Sequence, residues 1–153
     1  MSKARSETRL DPSEDPCPVA RSLGIIGDRW SMLIVRDAFD GVRRFGDFQR
    51  NLGMARNILT DRLQKLVDAG ILATQPASDG TAYLEYVLTS AGERLFPVVV
   101  ALRQWGESHL FAPGEWHSVL IDKRTGKPLP PMRPLAKDGT AIAASATEVK
   151  KVR

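Results

Sequence analysis

The chain has 153 residues, of which 42% are hydrophobic and 26% are charged, and its formal net charge is +4. These values are typical of one globular domain with a small appendage, and no apolar run is long enough to span a bilayer. The single cysteine, Cys17, excludes an internal disulfide and a zinc site built from several cysteines. Because the N-terminal segment is too polar for a secretory signal, we expect a cytoplasmic protein with no membrane partner.

The first forty residues predict an arm followed by two helices. Residues 1–16 are polar and lack an apolar period, so they are expected to form a flexible arm. A helix is predicted over residues 18–26, with a proline at its first position and Cys17 as its N-cap. A second helix, residues 29–40, is predicted to be the central core helix because its apolar residues recur at spacings of three and four. The side chains expected to be buried are Val19, Leu23, Ile26, Trp30, Leu33, Ile34, Ala38 and Phe39.

The segment from Gly41 to Gly70 predicts two short amphipathic helices joined by a turn at Gly53. Their apolar stripes are Phe45, Phe48 and Leu52 in the first helix, and Leu59, Leu63, Leu66 and Val67 in the second. Six cations and two anions lie between Arg43 and Lys65. A helix-turn-helix places its second helix in the DNA major groove and its flanking cations on phosphates, so this pattern favours DNA binding. By charge alone, a solvated arginine-rich helix pair remains an alternative.

The residues after Gly70 predict a β-hairpin and then a long helix. Two short strands flank an Asp79-Gly80 turn, and a hairpin after a helix-turn-helix is a wing. Thr89 is the expected cap of a helix that extends to about Leu110, with a kink or break at Pro97. Because this helix has more apolar surface than a small domain can cover, we expect it to pair subunits; packing within one chain is the alternative. Residues 112–135 are expected to form a small β-hairpin extension, and residues 136–153 a flexible tail.

The predicted fold is therefore mainly α with a small β-hairpin wing, a winged helix-turn-helix. The exposed face of the second helix of the motif offers side chains that can form paired hydrogen bonds with base edges. The expected base-reading residues are Arg56, Asn57, Thr60 and Gln64. The expected phosphate contacts are Arg43, Arg44, Arg62 and Lys65, whereas Arg50 could instead pair with Asp47 or Asp61.

Several motifs, in the same order, closely resemble the HxlR-type transcriptional regulators. They are CPVARSLGIIGDRWSMLIVRDAFDGVRRFGDF, LTDRLQKLVDAGIL, YVLTSAGE and LRQWG, within Cys17–His109. The resemblance implies a bacterial homodimeric DNA-binding protein, a repressor or an activator, whose domain here is residues 17–111. It implies a recognition helix at about 55–69 that binds a double-stranded operator, and a dimer built from the first and last helices of the domain. The interface residues would then be Val19, Leu23, Val98, Leu102 and Trp105.

The chain departs from this family pattern at two places. Family members commonly start the recognition helix with a serine or threonine cap, but Met54 and Ala55 stand here, and alanine cannot cap a helix. Asn57 could cap a later start, which would remove it from base reading. Family wings often carry basic residues, whereas the wing tip, residues 77–82, has none and carries Asp79. The recognition helix is therefore expected to supply most of the binding energy.

Cys17 is the residue with chemistry that could report an environmental signal. Its expected place at a helix N-terminus favours the thiolate, and in some members of the resembled family a cysteine at this position senses oxidants or electrophiles. A buried, inert thiol at the dimer interface is the alternative. The two histidines, His109 and His117, do not form a metal motif, so no metal and no cofactor are expected.

The sequence has no phosphate loop, no nucleophile elbow, no metal cluster and no cysteine–histidine pair at a recognisable spacing, so an enzyme is not expected. The competing interpretation is a winged-helix module that binds protein without specific DNA binding. The expected partners are an operator, a second copy of the chain and an effector that is a small molecule or an oxidant.

Overall fold

A computed structural model describes residues 14–151, so the expected N-terminal arm lies outside the described residues except for its last three. The chain divides into two compact units, one ending at Phe96 and one beginning at Pro97. The elements in chain order are α1 (Pro18–Ile26), α2 (Ser31–Phe39), α3 (Phe45–Leu52), α4 (Arg56–Asp68), β1 (Leu72–Pro76), β2 (Leu84–Leu88), α5 (Ser90–Glu93) and α6 (Phe96–His109). None of these helices is long and apolar enough to cross a membrane.

The core of the N-terminal unit lies where α2, α3 and α4 meet. Ile34 and Val35 on α2 and Phe48 on α3 are fully buried, and so are three leucines of α4 at positions 59, 63 and 66. Spacings of three and four place these leucines on one side of α4, and their burial removes most of their apolar surface from water. A three-helix core followed by a hairpin confirms the predicted winged helix-turn-helix fold.

The turn between α3 and α4 is made by Gly53. Its φ of 62° lies in the left-handed region, which residues with a Cβ adopt only with strain. Its N–H donates to the carbonyl of Gln49 at 2.9 Å, which closes the end of α3 as glycine commonly does at a helix C-terminus. The second helix of the motif can therefore begin three residues later, at Arg56.

The two strands form an antiparallel hairpin in which Leu72 pairs with Leu88 and Pro76 with Leu84. The burial of β2 differs from the usual pattern, in which an apolar side chain takes the most buried position. Glu85 is the buried residue of β2, whereas Tyr83 and Leu84 near the tip are exposed. The reason is polar satisfaction, because Ser78 and Gln75 donate hydrogen bonds to the Glu85 carboxylate.

Two sequence expectations about the helices need correction or refinement. Helix α1 buries no residue, so the expected burial of Val19 and Leu23 is wrong for the single chain, in which Ile26 is half-buried. The predicted long helix is broken, and α5 is a single turn capped by the Thr89 hydroxyl. The break precedes Pro97, which occupies the first turn of α6, where its missing N–H costs no hydrogen bond.

The C-terminal unit consists of α6 and a largely extended segment. Residues 112–135 contain a turn at Asp122–Gly126 that is closed by one bridge between Ile121 and Pro128, instead of two full strands. The prolines at 128, 130, 131 and 134 have no N–H with which to continue a ladder. A second bridge joins Leu135 to Ala141, and residues 144–146 form a single 3-10 turn.

Candidate nucleic-acid interface

The outer face of α4 is opposite its buried leucine stripe. Four exposed side chains on this face line one open depression, which also includes Asp61: they are Arg56, Asn57, Thr60 and Gln64. All four base-reading candidates are thus brought together on one surface. Two of them already form hydrogen bonds within the helix, because the Thr60 hydroxyl donates to the carbonyl of Arg56 at 2.9 Å and the Gln64 amide donates to Asp68 at 2.8 Å.

The N-terminus of α4 has no side-chain cap. Ala55 occupies the N-cap position with extended backbone, and helix α4 begins at Arg56, so Asn57 lies inside the first turn and does not cap the helix. The first N–H groups of a helix have no partner within it and carry a partial positive charge. The Arg56 guanidinium lies 5.4 Å from the ring centre of Phe45, which holds it beside this helix end.

Most of the basic side chains of the motif pair with carboxylates. Arg50 pairs with Asp47, Lys65 pairs with Asp61 at 3.2 Å, and Arg43 lies 3.6 Å from Glu85. Arg56 is the arginine of this segment that forms no ion pair within residues 14–151. The surface has the expected cations, but its local positive charge is smaller than the sequence count suggests.

Arg62 differs from the other phosphate candidates because only 25% of its side chain is exposed. Its Nε lies 3.1 Å from Asp28 Oδ2, and its Nη1 lies 2.6 Å from Asp61 Oδ2. Asp28 stands before α2 and accepts hydrogen bonds from the N–H groups of Trp30 and Ser31 at 2.9 and 3.0 Å. One carboxylate therefore joins the start of α2 to the middle of α4.

The environment of Asp28 favours its charged form. Partial burial raises the pKa of this carboxyl, but hydrogen bonds from the Ser31 hydroxyl and the Trp30 and Ser31 N–H groups, together with the Arg62 charge, outweigh it. The pKa of Asp28 therefore lies below its usual value. This carboxylate is a positioning group, because it caps the start of α2 and also binds Arg62 of α4.

The wing is attached to the start of α3 by a second set of contacts. Arg44 pairs with Asp79 at the wing tip and lies 5.9 Å from the ring centre of Tyr83. The Tyr86 N–H donates to the carbonyl of Arg43 at 2.8 Å. Hydrogen bonds from Thr81 and from Arg44 lower the pKa of Asp79 to about 2. Arg44 and Asp79, which the sequence analysis treated separately, thus form one unit.

The buried carboxylate of Glu85 was not identified from the sequence. The Ser78 N–H lowers the pKa of Glu85; burial opposes this, and the Ser78 hydroxyl, Gln75 and Arg43 reinforce it. A glutamate in a strand predicts a solvent-facing position, so only its partners reveal that it organises the wing.

Cys17 is exposed at the N-cap of α1, as expected, and its side chain forms no capping hydrogen bond. Asp15 accepts a hydrogen bond from the Cys17 N–H at 2.8 Å, and the Arg21 guanidinium donates to the carbonyl of Asp15. The thiol is thus accessible in the single chain. Residues 14–151 contain no group of three or more metal-ligating side chains.

The five side chains expected at a dimer interface are all exposed in the single chain. Val19 and Leu23 lie on α1 in the N-terminal unit, and Val98, Leu102 and Trp105 lie on α6. Each helix thus presents apolar surface that its own unit leaves uncovered, which is the property that a protein–protein contact requires.

The three-helix core, the exposed face of α4 and the wing define a winged helix-turn-helix protein. Residues 25–112 match the model of the family described as HxlR-like helix-turn-helix, and the chain belongs to this family. The chain is similar to an uncharacterised HTH-type transcriptional regulator of Mycobacterium tuberculosis, with 47% identity over 95 residues. That match covers 62% of this chain and 60% of the relative, so the chain spans about three fifths of the relative's length.

Two solved structures extend this comparison. The crystal structure of PA1607, described as a candidate transcription factor, is 50% identical, with a TM-score of 0.88, and the match covers 92% of this chain and 98% of that one. The redox regulator HypR in its oxidised form is 33% identical, with a TM-score of 0.56, and the match covers 61% of this chain and 97% of that one. The predicted family is thus confirmed, and it is a family of transcriptional regulators rather than an enzyme class.

Replacing Asp28 tests its role as a link between α2 and α4. Asp28→Ala should lower the free energy of unfolding by about 1–2 kcal/mol, because two N–H groups lose their acceptor and Arg62 loses a partner. Asp28→Asn keeps an acceptor but removes the charge. Because the folded state lowers this pKa, the charge stabilises the fold above the unfolded pKa of about 3.9, and this contribution is lost as the pH falls through the folded value.

Urea unfolding between about pH 2 and pH 7 would measure this difference. The difference in free energy of unfolding between the wild type and Asp28→Asn should be constant at neutral pH and should shrink below about pH 4. The control is Asp40→Asn, since Asp40 is exposed after α2, and its effect should stay within about 0.5 kcal/mol. If this difference between the wild type and Asp28→Asn did not change down to about pH 2, the role assigned to the Asp28 charge would be contradicted.

Proposed function

We propose that this protein is a sequence-specific regulator that binds double-stranded operator DNA with α4 in the major groove. The observation that carries this proposal is the outer face of α4, where four side chains able to bond base edges share one exposed surface. Arginine can bond guanine, and asparagine or glutamine can bond adenine, with two hydrogen bonds each. Membership of a family of transcriptional regulators supports the same function.

The uncapped start of α4 fits this role. A missing N-cap costs about 1 kcal/mol in an isolated protein, because helix N–H groups remain without an acceptor. A DNA phosphate at this end of α4 would supply that acceptor and would meet both the helix dipole and the Arg56 charge. Part of the stability that this helix lacks would then be recovered on binding.

The phosphate contacts are proposed at Arg43, Arg44 and Lys65. The carboxylate partners of Arg44 and Lys65 are exposed, whereas Arg43 lies 3.6 Å from the buried Glu85 carboxylate and is itself half exposed. Exposed ion pairs contribute about 0–1 kcal/mol, so a phosphate can replace such a partner at little cost. Arg62 remains a phosphate candidate, but its geometry favours a second role, which is to hold α4 against the start of α2.

A two-fold dimer is proposed, because it would place two recognition helices about one DNA turn apart, roughly 34 Å. The exposed apolar residues of α1 and α6 support this assembly. A DNA-binding regulator of this kind would act in the cytoplasm, as a repressor or an activator.

Cys17 is proposed as a site at which an oxidant or electrophile changes operator affinity. Its exposure on the N-terminal side of α1 supports this role, and the similarity to HypR, described as a redox regulator, adds to it. Because the chain has one cysteine, its oxidised product would be a disulfide between two chains or an adduct with a small thiol.

The DNA-binding proposal is tested by two substitutions on the same helix. Arg56→Ala should weaken binding to the operator by about 1–3 kcal/mol and should affect random DNA much less. Lys65→Ala should weaken both to a similar extent and should lower the slope of log K against log salt by about one unit. Fluorescence anisotropy with promoter DNA of its own gene would measure both effects.

Two results would go against this proposal. Equal losses on operator and random DNA for Arg56→Ala would remove Arg56 from the base-reading set. If wild-type protein bound its promoter no better than random DNA, a protein-binding module would be the better interpretation of the fold.

The dimer is tested by Trp105→Glu, which would bury a charge in the proposed α6 contact. The variant should sediment as a monomer at micromolar concentration, whereas the wild type should sediment as a dimer. Tyr83→Glu provides the control, because Tyr83 is exposed to a similar extent but lies on the wing. A monomeric wild type would refute this part of the proposal.

The response to oxidants is tested by Cys17→Ser. This variant should bind the operator with wild-type affinity, and diamide should change the affinity of the wild type alone. Labelling of the thiol in native and unfolded protein would provide an independent measurement. A Cys17 that reacts no faster when folded, together with operator binding that diamide leaves unchanged, would exclude the sensing role.

A further inference from the structure

The C-terminal arm, defined as residues 112–151, has a defined backbone path but no buried residue. Its two turns are each stabilised by an aspartate, and the N–H groups of Arg124 and Thr140 donate to Asp122 and Asp138. Most of its large apolar side chains are nevertheless exposed to solvent in the single chain. The exposed set comprises Trp116, Val119, Ile121, Met132, Leu135 and Val149, and Trp116 is 87% exposed.

Polar contacts with backbone atoms hold the arm along α6. The Gln104 side chain donates to the carbonyl of Pro130 at 3.0 Å and accepts from the Met132 N–H at 2.7 Å. Arg103 donates to the carbonyl and the hydroxyl of Ser118 at 3.2 and 3.0 Å. The arm therefore uses its backbone to contact its own helix, and most of its large apolar side chains remain uncovered.

The apolar side of α6 is uncovered in the same way. Val98, Leu102, Trp105 and Leu110 are all exposed, and Val100 is the one buried residue among residues 97–151. Ordering each residue costs about 1–2 kcal/mol of backbone entropy. Half-buried contacts such as those of Leu120 and Leu129 return little against that cost, so the C-terminal unit lacks most of its core.

We propose that the C-terminal arm docks on the C-terminal unit of a second copy of this chain, so that two copies complete one apolar core. The inference rests on the proposed dimer and adds the arm to an interface otherwise formed by α1 and α6. A two-fold interface needs the same patch on both partners, and this unit carries both an apolar helix face and an apolar extended segment. The arm of each copy would therefore cover the apolar helix face of the other copy.

The amount of exposed apolar surface also fits a second copy. Stable interfaces bury about 800 Å² per partner, and single apolar patches above a few hundred Å² mark interaction sites. A tryptophan or phenylalanine alone buries about 150–250 Å² when covered, and Trp105, Phe111 and Trp116 all lie in or beside this surface. Apolar side chains that stay exposed in the single chain need a partner that is always present when the protein is, and a second copy meets that condition.

The comparisons indicate that this arm is not part of every similar protein. A match over 92% of the chain, as with PA1607, must include most of residues 112–151. The HypR match covers 61% of this chain although it covers 97% of HypR, and the match to the family model ends at residue 112, where the arm begins. The arm is thus an addition to the helix-turn-helix unit, which suits a role in strengthening the dimer.

Two substitutions in the full-length protein test the arm, with sedimentation equilibrium in the absence of DNA as the measurement. Trp116→Ser and Leu135→Ser should each raise the dimer dissociation constant at least about tenfold, because each would remove an apolar anchor from both copies. The matched control is Leu84→Ser, since Leu84 is exposed to a similar extent but lies on the wing. It should leave the dissociation constant unchanged.

Hydrogen exchange provides a second readout that does not depend on either substitution. Amides of residues 114–135 should exchange slowly in the wild-type dimer and quickly in monomeric Trp105→Glu protein. Equal exchange in both, a wild-type monomer, or a dimer that both arm substitutions leave within twofold of the wild-type constant would each overturn the inference. A failure of operator binding would count against the proposed function alone, since no DNA is present in these measurements.

Discussion

The leucine stripe of α4 packs against α2 and α3, and its register decides which residues of α4 face solvent. Leu59, Leu63 and Leu66 are fully buried, so rotation of the helix about its axis would expose them and bury charged neighbours. That constraint places the polar residues of α4 on one outer face. The helix-turn-helix therefore presents a fixed set of side chains. This one packing contact decides which of them face solvent and can form hydrogen bonds with another molecule.

Ion pairs on α4 decide which of its cations remain available to bind an anion. Pairs such as Lys65 with Asp61 are exposed and weak, so they leave the cation available to a stronger anion. The pair of Arg62 with Asp28 is more enclosed and is supported by the N–H groups at the start of α2. A basic residue in a DNA-binding helix can therefore position the helix rather than bind phosphate, and burial distinguishes the two roles.

The two units differ in the extent of their hydrophobic cores. The N-terminal unit has a core formed by three helices and closed by the hairpin, whereas residues 97–151 include a single buried residue, Val100. A helix with an uncovered apolar side and an arm without a core would gain stability from a further surface that covers them. Assembly would then complete the fold of the C-terminal unit, and the exposed hydrophobic residues of α1 would extend the same requirement to the N-terminal unit.

The sequence by itself predicted the elements from α1 to β2, their order and the outward face of α4, because apolar periodicity and glycine turns are local properties. The resemblance of its motifs, rather than any periodicity, predicted the family. The sequence did not determine that Arg44 pairs with Asp79, or Arg62 with Asp28, since these partners are 35 and 34 residues apart. The burial of Glu85 was also decided by tertiary structure, because a carboxylate can enter a wing only where several donors converge on it. Local pattern sets which surfaces exist, and the folding of distant segments against one another decides which charges remain available on them.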